Sequence, residues 1–97
     1  MRLIKFEDLE FTPHKYIDNA VHCTIRFTDE DYISIVGGDG KSKLYGDGTT
    51  SFEIMSSLTE KTELGILCYQ NAKEVNKHLE QVQLNTLMKL TYKTIKL

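Results

Sequence analysis

Two stretches of alternation, eight residues and then five, constrain this chain more than anything else in it. Val21, Cys23, Ile25 and Phe27 alternate with His22, Thr24, Arg26 and Thr28. A period of two sends successive side chains to opposite faces, so this segment reads as a strand with one buried face. Tyr32-Ile33-Ser34-Ile35-Val36 alternates again, with β-branched residues that suit a pleated surface. The polar link Thr28-Asp29-Glu30-Asp31 is short, which predicts an antiparallel hairpin.

A hairpin with one apolar face needs partners. Phe52-Glu53-Ile54-Met55 reads as a third strand. Leu64 to Tyr69 is too short for its period to decide, but its length and β-rich neighbours favour a strand or a buried connection. Residues 2–12, with Leu3, Ile4, Phe6, Leu9 and Phe11, read as a short extended lead-in. Thr12-Pro13-His14 breaks it, and Pro13, lacking an N–H, suits a turn or a sheet edge.

At Asn71 the period changes. Asn71 followed three residues later by Glu74 has the capping-box pattern. Val75, Leu79 and Val82 then fall on one helical face, leaving Lys73, Lys77, Glu80, Gln81 and Gln83 to solvent. The helix is expected to reach Leu84 or Met88. Residues 86–97 admit three readings: more helix, a basic tail, or an extra strand from Leu90 to Ile95, since Met88, Leu90 and Tyr92 also alternate. The expected fold is α+β: an antiparallel meander of four to five short strands with one C-terminal amphipathic helix on one face, all in one domain over residues 1–97.

Ninety-seven residues hold one modest core. Apolar residues at 40% and charged residues at 27% are a globular balance. The net charge of -2 argues against coating nucleic acid, but it is unevenly spread. Residues 1–60 carry eleven acidic and six basic groups; residues 61–97 carry three acidic and six basic ones. Solubility accounts for this, as does an acidic face docking into a basic protein groove. No run of about 18 apolar residues could span a membrane. The opening turns acidic at Glu7-Asp8, unlike a signal peptide, so a cytoplasmic location is expected. Cys23 and Cys68 show no metal spacing and read as buried thiols, or as a disulfide if their segments are adjacent.

Several site chemistries fail on spacing. Gly37-Gly38-Asp39-Gly40-Lys41-Ser42 resembles a phosphate loop only locally, because Ile35 stands where the first glycine belongs and no helix follows. Asp39 and Asp47 are too far apart for a calcium loop, and the two Gly-Asp-Gly segments read as turns with glycines at positive φ. His14, His22 and His78 lack ligand spacing, and His14 is expected to orient the N-terminal turn through a hydrogen bond. Cys23, on a buried face, is a poor nucleophile. The chain is therefore not expected to be an enzyme, and no cofactor or metal is implied. The nearest approach to a nucleic-acid surface is Tyr69 and Tyr92 with Lys89, Lys93 and Lys96.

Phe6-Glu7-Asp8-Leu9-Glu10-Phe11-Thr12-Pro13-His14 resembles the opening of a family of short proteins encoded by tailed bacteriophages and prophages. Asp31-Tyr32, Phe52-Glu53-Ile54-Met55, Gly65-Ile66-Leu67 and Val75 to Val82 fit the rest of that pattern. Lys41-Ser42-Lys43 reads as an insertion, and the stretch beyond Leu84 as a longer, more basic tail. The resemblance implies a phage accessory protein, made in the infected bacterium, that binds a host or phage protein; blocking a host defence protein is one such role. The residues expected to meet that partner are Asp29, Glu30 and Asp31 at the acidic turn and Lys41, Lys43 and Tyr45 in the glycine-rich loop. Two other readings stand beside it: nucleic-acid binding through the basic C-terminal tail, and small-ligand or nucleotide binding by the Gly37–Ser51 loop. A homodimer is also compatible, because a short sheet has edges to pair.

Overall fold

A computed structural model describes residues 2–96, with side chains described as far as Tyr92. The alternating segments pair as expected. Strands β1 (Thr12–Pro13), β2 (Ala20–Arg26), β3 (Tyr32–Gly38), β4 (Phe52–Ser56) and β5 (Leu67–Gln70) form one antiparallel sheet in chain order. Helix α1 (Ala72–Lys96) packs on one face of it. The architecture is α+β.

Register explains the core. Ile25 lies opposite Ile33, Cys23 opposite Ile35, and Ile35 opposite Ile54. Residues directly opposed share a face, so Cys23, Ile35 and Ile54 form a row across three strands, with Ile25 and Ile33 beside it on the same face. Ile33, Ile35, Phe52 and Ile54 are buried there, against Val75 and Leu79 of α1. Phe6, Phe11 and Phe52 close one end, with Phe11 stacked on Phe52 at 5.1 Å between ring centroids. The other face is polar, with Ser34 opposite Thr24 and Arg26 over the Tyr32 ring at 5.2 Å.

Pro13 takes the edge strand, where its missing N–H costs no ladder bond. The lead-in is not uniformly extended. Residues Phe6–Asp8 form a single 3-10 turn, because Asp8 accepts the Lys5 N–H at 2.8 Å while Arg2 grips its carboxylate from the other side. Asn71 and Glu74 exchange the two bonds of a capping box, at 2.8 and 3.0 Å. From there α1 continues without a break, so residues 90–95 are helical and the alternative strand is not formed. Gln83, expected in solvent, is buried. Its side-chain amide brackets the Ile4 backbone, accepting the N–H and donating to the carbonyl, both at 2.8 Å. One turn-pair earlier, Asn76 accepts the Phe6 N–H at 3.0 Å. The N-terminal segment is thus strapped along the flank of α1.

Sheet order also closes the disulfide alternative. Cys23 on β2 and Cys68 on β5 are three strand spacings apart, about 14 Å, well beyond bridging range.

Candidate interaction surface

The acidic turn divides. Asp29 and Glu30 are exposed, whereas Asp31 is 1% exposed. Its backbone holds the turn, with its carbonyl accepting the Phe27 and Thr28 N–H groups. Its carboxylate accepts Lys89 Nζ at 2.9 Å and the Thr28 hydroxyl at 3.4 Å. Burial pushes the carboxyl up, but hydrogen bonds from Lys89, Thr86 and Ser57 outweigh it, so Asp31 is held below the ordinary carboxylate value. These contacts engage the carboxylate within the fold. Asp31 fastens the hairpin to α1, and the shallow cleft of about 180 Å³ around it is the seam between those two elements.

The glycine-rich loop keeps Lys41, Lys43 and Tyr45 exposed, yet not as one tip. Tyr45 folds back to β5. Its carbonyl accepts the Tyr69 N–H at 2.9 Å, and the two rings meet edge-to-face at 6.1 Å. Lys43 and Tyr69 both sit at positive φ, 60° and 55°. The Gly-Asp-Gly glycines work differently from expectation. Only Gly48 among them has positive φ, at 79°. Gly46 is needed for close approach, since a Cβ there would lie 2.6 Å from the Phe52 Cα. Asp47 is absorbed by the loop: it accepts the Thr50 hydroxyl and the Thr49, Thr50 and Ser51 N–H groups, which hold it well below the carboxylate range.

The histidines have structural partners. His14 Nδ1 accepts the Tyr16 and Ile17 N–H groups at 3.1 and 3.2 Å, as expected for a turn-orienting residue. His78 is buried with Nε2 2.7 Å from Ser56 Oγ. That hydroxyl also accepts N–H groups from Leu58 and Thr59, so its own hydrogen is left for His78. Burial pushes the His78 pKa down. Ser56 itself is fully buried, so this Ser–His pair cannot reach a substrate. Burial also raises the Cys23 thiol. Among the described residues, no three His, Cys, Asp or Glu side chains cluster as metal ligands.

Tyr69 stands apart from the rest of the aromatic–basic group, and the Lys93 and Lys96 side chains lie outside the described residues. Tyr69 precedes the start of α1 and Tyr92 lies about 30 Å along it. No helix among the described residues is long and apolar enough to cross a membrane.

The surface that sequence reasoning missed is the far end of α1. At roughly 100° per residue, Val75, Leu79, Val82 and Thr86 make the sheet-facing stripe. Leu84, Leu87, Met88 and Thr91 fall on the opposite side, roughly 160° away. The first half of that outer side is polar, with Lys73, Lys77 and Glu80; the second half is apolar. Leu84, Leu87, Met88, Thr91 and Tyr92 line an open groove of about 400 Å³. Met88 is 71% exposed and Leu84 43%. Lys89 lies instead on the sheet-facing side, where it meets Asp31 and Glu30. A helix apolar on both sides is unusual for a surface element. The signal was present as Leu84, Met88 and Tyr92 at four-residue steps. It was hidden because Met88, Leu90 and Tyr92 also fit a strand.

Comparison with protein-family models, with curated proteins and with solved structures found no match.

Proposed function

We propose that this chain is a small accessory protein, of the phage-encoded kind its N-terminal motif resembles, that acts by binding another protein without catalysing a reaction. The outer apolar face of α1, centred on Met88, carries the contact. The observation behind this is the switch of that face from polar to apolar at Leu84, with Met88 71% exposed. Asp31, Asp47 and His78 are each taken up by a turn or a packing contact. Asp29, Glu30, Lys41 and Lys43 are exposed charges whose part would be to tune encounter more than affinity.

The test is affinity capture from bacterial lysate with the wild-type chain and with Met88→Glu. Wild type should retain one protein in near-stoichiometric amount, and the charge at position 88 should release it. Retention of nucleic acid or a metabolite alone, or capture indifferent to Met88→Glu, contradicts the proposal.

A further inference from the structure

We infer that Asp39 is a site of spontaneous isoaspartate formation in the folded chain, and that Asp47, in an identical Gly-Asp-Gly segment of the same loop, is protected from it. The inference is independent of the Met88 face.

The chemistry needs no co-reactant but water. The backbone nitrogen of the following glycine attacks the side-chain carboxyl carbon. A C–N bond forms, a C–O bond breaks, and the carboxyl oxygen leaves as water with the amide proton and a carboxyl proton. Water then opens the cyclic imide. Attack at the side-chain carbonyl restores aspartate; attack at the main-chain carbonyl leaves isoaspartate, with the chain running through the side-chain carbon. The carboxyl must therefore reach a nitrogen that is free to react, and the glycine must be able to turn.

At Asp39 both conditions are met. Asp39 and Gly40 are exposed. Asp39 Oδ1 accepts the Lys41 N–H at 2.9 Å, which lays the carboxyl across the intervening Gly40 peptide. Among the described residues, the Gly40 N–H donates to no acceptor. A Cβ at Gly40 would meet nothing within 4 Å, so this peptide has room to turn.

At Asp47 neither is met. Its carboxylate accepts the Thr49, Thr50 and Ser51 N–H groups at 2.8, 2.6 and 2.9 Å and the Thr50 hydroxyl as well. Four such bonds fix the carboxyl carbon and keep the group ionised, the form that resists attack. The nitrogen is engaged too, since the Gly48 N–H donates to the Ser51 carbonyl at 2.9 Å. Gly48 also packs on β3, where a Cβ would lie 2.9 Å from the Gly37 carbonyl carbon.

The product would lengthen the backbone by a methylene between two anchors. The Asp39 N–H donates to the Asn19 carbonyl at 3.1 Å, and the Asp39 carbonyl accepts the Ser42 N–H at 2.9 Å. Rearrangement should loosen the loop where it meets the turn before β2.

The full chain, incubated folded at neutral pH in heavy-oxygen water, returned to ordinary water and cleaved with trypsin, tests this. Lys41 and Lys43 put the two aspartates on different peptides. The Asp39 peptide should gain heavy oxygen and an isomer of shifted retention at least about tenfold faster than the Asp47 peptide, the rate equivalent of one hydrogen bond to a charged group. In guanidinium chloride the two identical segments should react at similar rates, because only the fold tells them apart. Gly40→Ala should slow labelling at Asp39 and leave Asp47 unchanged. Equal rates in the folded chain, a faster Asp47 or an unreactive Asp39 overturns the inference, as does a bias that persists unchanged in the unfolded chain.

Discussion

Asp31 and Lys89, separated by 58 residues, meet at 2.9 Å where the β2–β3 turn touches α1. This pair shows how the sheet and the helix are kept in register. Lys89 bonds the sheet-facing side of α1 to the hairpin, and the apolar groove lies on the far side of the same turns.

Removing Lys89 leaves a buried carboxylate without its cation. Lys89→Met should destabilise the fold by about 2 kcal/mol at pH 7, less than for a fully buried pair because Lys89 is partly solvated. The Asp31 pKa is lowered in the fold, so its contribution is complete above the ordinary carboxyl value and is lost as pH falls through the lowered one. The gap in melting temperature between wild type and Lys89→Met should therefore narrow below about pH 4. Thermal melts at pH 7 and pH 3 check this; a constant gap contradicts it.

His78 has the opposite charge logic and the same pH sign. Its pKa is lowered by burial, so the unfolded chain binds the proton more readily. Stability is full above about pH 6.5 and declines as pH falls from there toward the lowered value. His78→Leu should flatten the slope between pH 7.5 and pH 5, while costing about 1–3 kcal/mol at neutral pH for the stranded Ser56 hydroxyl. Denaturant titrations at the two pH values measure both effects.

Gly46 and Gly40 make a contrast within one loop. A Cβ at Gly46 would meet the Phe52 backbone at 2.6 Å, whereas one at Gly40 meets nothing within 4 Å. Gly46→Ala should cost about 2 kcal/mol or more, and Gly40→Ala should be neutral to within about 0.5 kcal/mol. Equal effects would mean that the loop does not close against β4.

Gln83→Ala removes both bonds to Ile4. The loss should be about 1–2 kcal/mol. Hydrogen exchange locates it: the Ile4 and Phe6 amides should exchange faster, while those of β3 stay protected. Uniform loosening would contradict a local strap.

Much of this was legible in the sequence. Alternation over residues 21–28 and 32–36 reports the period of a half-buried strand directly, and Asn71 with Glu74 marks a helix start through local hydrogen bonding. What stayed hidden depends on distant partners. The run Thr28 to Asp31 gives no local sign that Lys89 will cover one of its three acids. Gln83 sits at the margin of the helical stripe, and only the Ile4 strap decides its burial. Gly46 looks like a turn glycine, but Phe52 on another strand requires it. The Met88 face was masked by its own double periodicity, which the capped helix resolves by extending to Lys96.

A photo-crosslinking side chain in place of Met88, irradiated in living bacteria, addresses the central claim most directly. It predicts a discrete protein adduct from position 88, with none from the same probe at Lys73 on the polar half of that helix face. No adduct at 88, or equal labelling at both positions, would contradict it.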